Sequence, residues 1–177
     1  WILIGDDFCY GAKRAGNFAS LKAAGQQYGF EVSSIQTILE DGERISSSAL
    51  RAALANGDMK HAEKLLGRPY GISGHVIHGQ KLGRTLGFPT LNLAVANHLH
   101  HRKPATTGIF TAQVLGLAEK PLPAVASLGV RPTVEDQGRV LLETHIFDYQ
   151  QDVYGKIITV ELLEKIRDEA KYDDLDT

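Results

Sequence analysis

The sequence predicts an α+β chain in two parts: an α/β layer with parallel strand pairing, then a six-stranded antiparallel β-barrel followed by a C-terminal helix. Three observations carry the prediction. Residues 1–39 read strand, helix, strand and lead into further helical text, the order that lays strands in parallel with helices across them. At Gly67-Arg-Pro-Tyr-Gly71 the helical text stops, which divides the chain into residues 1–68 and 69–177. Beyond that point come short alternating runs separated by Gly, Pro and charged turns, the pattern of a small closed or nearly closed barrel.

The chain opens on Trp1-Ile-Leu-Ile-Gly-Asp-Asp-Phe8, which reads as a buried strand entered midway and then a turn of glycine and acid. No initiator methionine precedes it, and an N-terminally truncated chain is the expectation. From Ala15 to Tyr28, Phe18, Leu21, Ala24 and Tyr28 recur at helical spacing, with Gly29 placed to end the helix. Phe30 to Leu39 alternates loosely as a second strand, and Glu40-Asp-Gly-Glu-Arg44 is a turn. Ile45-Ser-Ser-Ser-Ala-Leu-Arg51 starts a helix that continues to Ala55. Ser46 or Ser47 could cap free N–H groups there, or the helix N-terminus flanked by Arg44 and Arg51 could attract an anion. Gly57-Asp58 interrupts, and Met59 to Leu66 forms a short helix stopped by Gly67 with Pro69 beyond it. The expected barrel strands are residues 72–78, 90–95, 108–117, 123–129, 140–147 and 157–163, and the charged tail from Leu163 to Tyr172 reads as a helix.

Bulk properties exclude more than they identify. A net charge of −2 and a pI near 6.4 argue against a nucleic-acid footprint over the whole surface, and the strands carry no run of aromatics interleaved with basic residues. Cys9 is the only cysteine, so neither an internal disulfide nor a cysteine zinc cage can form, and the cytoplasm is the default compartment. No apolar run approaches the 18 or so residues a membrane helix needs, and no basic-then-apolar leader is visible. Oligomeric state is left open.

The densest chemistry lies in residues 74–93. Four glycines (Gly74, Gly79, Gly83, Gly87), two cations (Lys81, Arg84) and Pro89-Thr-Leu-Asn92 share this interval. Glycines allow backbone N–H groups to turn inward as an anion-binding nest, the cations add positive potential, and Thr90 and Asn92 offer oxygen ligands to a hard cation. On an extended segment Thr90 and Asn92 would share one face and Leu91 and Leu93 the other. A phosphate-handling loop and a plain glycine-rich hairpin both remain open, because the spacing matches neither a Walker A loop nor a dinucleotide fingerprint. In Val140-Leu-Leu-Glu-Thr-His-Ile-Phe147, the even positions form a mainly apolar face and Glu143 sits on the other. A carboxylate in so apolar a strand is costly to desolvate without a task or a partner, so Glu143 is a candidate general base or a barrel residue paired to a surface cation. His75 and His78 are placed on opposite sides of their strand, and His98, His100 and His101 sit in loop-like text without a neighbouring carboxylate, so neither set makes a strong metal site. Arg131 and Arg167 read as a loop cation and a helix-surface cation.

Several stretches in fixed order carry a resemblance. Gly74-His-Val-Ile-His-Gly79, Gly83-Arg-Thr-Leu-Gly-Phe-Pro-Thr90 with Asn92, Gly129-Val-Arg-Pro-Thr133, Leu142-Glu-Thr-His145, and Tyr154-Gly155 followed by Ile166-Arg-Asp-Glu169 closely resemble a riboflavin kinase domain. Upstream, Gly5-Asp-Asp-Phe8, Gly42-Glu-Arg-Ile-Ser-Ser-Ser48 with Arg51, and Leu65-Leu-Gly-Arg-Pro-Tyr70 resemble the end of the Rossmann-like FMN adenylyltransferase module of bacterial bifunctional FAD synthetases. The resemblance implies transfer of the ATP γ-phosphoryl group to the ribityl 5′-hydroxyl of riboflavin, giving FMN. It implies that Gly79, Lys81, Gly83, Arg84 and Gly87 wrap the nucleotide phosphates, that Thr90 and Asn92 hold Mg²⁺, and that Glu143 orients or deprotonates the hydroxyl. Arg131 and Arg167 fall in segments the family places near the flavin. Asp6, Asp7, Arg44, Ser46, Ser47, Ser48 and Arg51 resemble only the back half of the adenylyltransferase site, since the family's His-x-Gly-His element does not occur before Ile45. FAD synthesis is therefore expected to be lost or impaired in this chain. Ser48, Cys9 and Leu91 stand where the family commonly has Thr, Arg and Ala. A barrel that binds flavin or assembles without catalysis is the alternative reading.

Overall fold

The computed structural model describes residues 1–5, 7–79, 88–94, 104–130 and 140–170. These form two compact units, Trp1–Ser46 and Ser47–Thr177.

In the first unit, β1 (Ile2–Gly5) leads through the short strands β2 (Cys9–Tyr10) and β3 (Gly16–Asn17) into helix α1 (Phe18–Tyr28), and β4 (Val32–Ile35) returns parallel to β1 with Ile2 opposite Val32. The strand, helix, strand order thus yields the expected parallel pair. Asn17 caps α1 by accepting from the Ser20 amide while Ser20 reaches back to the Asn17 N–H, a reciprocal box that satisfies two otherwise orphan donors. Gly29 ends the helix at φ 77°, a left-handed turn for which glycine carries no Cβ penalty. A two-stranded sheet covers little surface, and Leu3 on β1 stays 43 % exposed, where a buried strand was expected. The hairpin of β5 (Leu39–Glu40) and β6 (Glu43–Arg44) turns through Asp41 and Gly42, both at positive φ, as a tight two-residue loop demands.

The second unit starts with two helices, α2 (Ser47–Ala55) and α3 (Met59–Leu66), that bury Leu54, Met59, Ala62 and Leu65. Asp58 caps α3 by accepting from the His61 amide, and Gly67 ends it at φ 70°. Six strands follow: β7 (Tyr70–Ile77), β8 (Leu91–Ala94), β9 (Gly108–Leu115), β10 (Leu122–Val130), β11 (Val140–Ile146) and β12 (Ile157–Arg167). They close in the order β10-β11-β8-β7-β12-β9, every pair antiparallel. Closure removes the unpaired edges that a six-stranded sheet would otherwise expose.

Period-two alternation decides which residues fill the barrel. Val76, Leu93, Phe110, Val114, Ala126, Leu128, Leu142, Ile158, Val160 and Leu162 are buried at 0–2 % exposure, at alternate positions along their strands. Each large aliphatic or aromatic side chain so buried contributes about 1.5–3 kcal/mol. Phe110 has Ala126 directly across the ladder, and the small residue leaves room for the ring. Helix α3 packs on β7 and β12, and burial among these elements holds the Tyr70 phenol above its ordinary pKa.

The tail corrects one expectation. Residues 163–167, assigned to a C-terminal helix from their charge and spacing, continue β12 to Arg167, and residues 168–170 are irregular. The ladder with β9 shifts register between Leu162 and Glu164 and again between Lys165 and Arg167. Each bulge inserts one residue and breaks strict alternation, so apolar Leu162, Leu163 and Ile166 fall at a spacing that imitates a helix. Residues 171–172 of the expected helix lie outside the described residues.

Candidate active site

The strand order places β8 between β7 and β11, and the register aligns one row across six strands: Ile77, Asn92, Glu143, Ser127, Ile109 and Arg167. All six occupy the alternate positions to the core residues, so the row lies on the outer wall. Leu93, next to Asn92, sits instead between Val76 and Leu142 in the core. The sequence-derived assignment of Glu143 to the non-core face of its strand therefore holds.

Asn92 faces outward and yet is only 5 % exposed. The α-carbon of Gly79 lies against its side-chain amide, so closely that a Cβ at position 79 would collide with it. The buried Asn92 Oδ1 has no hydrogen-bond partner among the described residues. Such an acceptor carries a desolvation cost of about 1–3 kcal/mol unless a ligand takes it up. Directly across the ladder stands Glu143, half-buried, with Ser127 on its far side. A neutral oxygen without a partner beside a carboxylate is a hard-donor pair, suited to magnesium or calcium rather than to a soft metal. Among the described residues no group of three or more His, Cys, Asp or Glu side chains could hold an ion without further ligands.

Thr90 stands apart from this pair. The β8 ladder begins at Leu91, opposite Thr144, and Thr90 is exposed just before it. It lines a cavity of about 440 Å³ at one end of the barrel, together with Val76, Leu91, Thr144 and Ile146 and the segment from Tyr149 to Tyr154. Neither Asn92 nor Glu143 lines that cavity, so Thr90 belongs to the cavity and the other two to the wall. Thr144, fully buried, has a hydroxyl without a hydrogen-bond partner among the described residues.

Polar contacts position the cavity's rim. The His145 Nδ1 lies 2.8 Å from the Pro89 carbonyl, and its ring meets Phe88 and Phe147 edge to face at 5.7 and 5.5 Å. The His78 ring packs on Tyr154 at 3.7 Å between centroids, and His75 Nδ1 lies 3.1 Å from the Gly155 carbonyl. Both histidines therefore meet the same turn. β7 ends at Ile77, so strand alternation does not extend to His78. Thr144, His145 and the segment from Tyr149 to Tyr154 received no role from the sequence. Their signal was the Leu142-Glu-Thr-His145 and Tyr154-Gly155 stretches, which do not reveal that a distant loop folds over a barrel end.

Arg167 is exposed on the outer wall in the row of Glu143, with β9 and β10 between them, roughly 14 Å of arc at ordinary strand spacing. Its guanidinium donates to the Asp168 carbonyl at 3.1 Å. Ser127 donates to Glu169 at 3.3 Å, and the Glu169 carboxylate covers Gly129, where a Cβ would meet it. In the first unit, Asp7 pairs with Arg44 at 2.9 Å, a solvated pair worth at most about 1 kcal/mol. In the second, α2 begins at Ser47, with Ser48 following in its first turn, and Arg51 donates to the Ser47 carbonyl at 3.5 Å. Ser46 immediately precedes that helix. Asp6, Lys81, Gly83, Arg84, Gly87 and Arg131 lie outside the described residues, as do His98, His100 and His101.

Residues 66–177 match the riboflavin kinase family, and residues 1–49 match the FAD synthetase family. Over 176 residues the chain is 48 % identical to the bifunctional riboflavin kinase/FMN adenylyltransferase of Escherichia coli (strain K12), covering 99 % of this chain and 55 % of that protein. Against the protein of the same description from Haemophilus influenzae, identity is 46 % over 176 residues, covering 99 % and 56 %. The chain thus spans about half the length of the curated relatives it matches. Among solved structures, a crystal structure described as a macrolide-efflux protein from Streptococcus pneumoniae aligns with a TM-score of 0.71 at 32 % identity, covering 98 % of this chain and 55 % of that one.

Proposed function

The chain belongs to the riboflavin kinase family, and from that premise we propose that it phosphorylates riboflavin to FMN with ATP. The observation that carries the reading is the Asn92 oxygen, which has no hydrogen-bond partner among the described residues, held opposite Glu143 on one wall of the barrel. Phosphoryl transfer needs positioning and charge neutralisation more than covalent help from the protein.

Glu143 is proposed to accept the proton of the ribityl 5′-hydroxyl as its oxygen bonds to the γ-phosphorus, while the bond from that phosphorus to the β,γ-bridging oxygen breaks and ADP leaves. Thr90 and Asn92 would hold Mg²⁺ through neutral oxygens only where the cavity that Thr90 lines meets the wall that carries Asn92, and the ion would supply charge neutralisation on the phosphates. That donor set fits magnesium, which commonly takes few protein ligands and completes its shell with phosphates and water. The cavity beside Thr90 falls within the usual range for small-molecule sites and is the proposed seat of the nucleotide. Gly79, Lys81, Gly83, Arg84 and Gly87 are proposed to contact its phosphates, and Arg131 and Arg167 the flavin. We further propose that residues 1–68 are the end of an FMN adenylyltransferase domain, with Asp6, Asp7, Arg44, Ser46, Ser47, Ser48 and Arg51 left from its nucleotide site, and that residues 69–177 are the kinase domain. No helix of the described residues is long and apolar enough to cross a membrane. A cytoplasmic location is proposed from the ATP requirement and the single cysteine.

The test is FMN formation from riboflavin, ATP and magnesium, with Glu143→Ala beside the unaltered chain. Loss of a general base costs on the order of 10²- to 10⁴-fold in kcat. Equal rates would remove Glu143 from the mechanism, and riboflavin binding without any turnover by the unaltered chain would favour a non-catalytic flavin-binding barrel.

A further inference from the structure

His145 stands on the same face of β11 as Glu143, two residues on and one position beyond Thr144, which closes the ladder with β8 opposite Leu91. Its Nδ1 lies 2.8 Å from the carbonyl oxygen of Pro89. A carbonyl can only accept, so His145 must donate at Nδ1.

The local backbone gives this bond its importance. Leu91 opposite Thr144 is the last pair of the ladder between β8 and β11, and Pro89 has no N–H with which to extend it. The stretch that delivers Thr90 to the cavity would otherwise depend on the ladder from one side only. Proline restricts φ at residue 89, and the imidazole captures the carbonyl that follows. Phe88 and Phe147 flank the ring edge to face and hold its plane.

We propose that His145 is a positioning residue: by donating Nδ1–H to Pro89 it sets Thr90 at the nucleotide site, so that the Thr90 hydroxyl meets magnesium and phosphate without reorganisation. This rests on the kinase reading above. The imidazole itself touches neither substrate nor metal. It acts through one main-chain carbonyl, as outer partners of metal ligands commonly do.

Three variants of the full chain separate hydrogen bonding from packing. His145→Phe keeps a ring between the flanking aromatics and removes the donor. His145→Asn loses the ring and keeps an amide donor at the same distance from the backbone. His145→Gln carries its amide one carbon too far. ADP binding is measured by calorimetry with and without magnesium, alongside FMN formation and thermal melting. The expected result is magnesium-dependent ADP affinity about tenfold weaker in His145→Phe and His145→Gln. In His145→Asn it recovers to within about threefold, on the scale of one neutral hydrogen bond retained or strained. Binding without magnesium and the melting temperature should change little across the series. Nitrogen-15 NMR of the unaltered chain should show a protonated Nδ1 at His145. This readout survives even if a variant fails to fold. A Phe variant that binds as the unaltered chain does, an Asn variant no better than Phe, or an unprotonated Nδ1 overturns the proposal while leaving the kinase reading intact. If the unaltered chain neither binds ADP with magnesium nor forms FMN, the kinase reading fails and the positioning role falls with it.

Discussion

At the residue scale, one missing side chain does as much as several present ones. Gly79 allows the backbone to lie on the Asn92 amide, which helps hide an outward-facing side chain from solvent, and the Asn92 oxygen has no partner among the described residues. A methyl group at position 79 must displace the Asn92 side chain from its place in the row. Gly79→Ala is expected to lower kcat/KM for riboflavin phosphorylation about 10²-fold, the scale of a misplacement near 1 Å in a reacting constellation. Far-ultraviolet circular dichroism should be unchanged, because the substitution touches a side chain rather than the core. Activity within twofold of the unaltered chain would show that Asn92 has room to move, and would weaken its assignment as a ligand.

At the scale of elements, β12 is the strand that departs most from its expected form. Two register shifts carry it past Leu163 to Arg167 and bring the outward-facing Arg167 into the row that contains Glu143. Backbone chemical shifts from Ile157 to Arg167 should report extended structure throughout, with irregularity at Leu163 and Ile166. Helical shifts beginning at Leu163 would restore the helix and withdraw Arg167 from that row. Helix α1 shows the opposite case, because Gly29 ends it where local spacing placed its end. A cap is a local device, readable in a few residues, whereas a bulge is defined against a partner strand that the sequence does not name.

At the scale of the whole molecule, Asn92, Glu143, Thr90 and the cavity all belong to the second compact unit, whereas Asp7, Arg44 and Ser46 belong to the first. The longer relatives carry two activities in their descriptions, and this chain matches about half of their length. With riboflavin, ATP and magnesium the chain should form FMN. With FMN and ATP it should form FAD at a small fraction of that turnover, because the sequence contains no His-x-Gly-His element to stabilise charge on the ATP phosphates. Comparable rates for the two products, measured by chromatography, would show that the seven upstream residues suffice for adenylyl transfer.

The sequence by itself determined the parallel pair at the start, the two short helices and the strands that close the barrel. These follow from periodicity and from glycine or proline punctuation, which act over a few residues and need no partner. It also determined the non-core face of Glu143 through period-two alternation. Only the tertiary structure decided which strands became neighbours: that Asn92 lies opposite Glu143, that Thr90 belongs to a cavity rather than to their wall, and that His145 holds Pro89 across 56 positions of chain. The physical reason is register. Pairing between distant strands is set by barrel closure and by a core that must interdigitate, and a one-residue slip would have turned Glu143 into the interior.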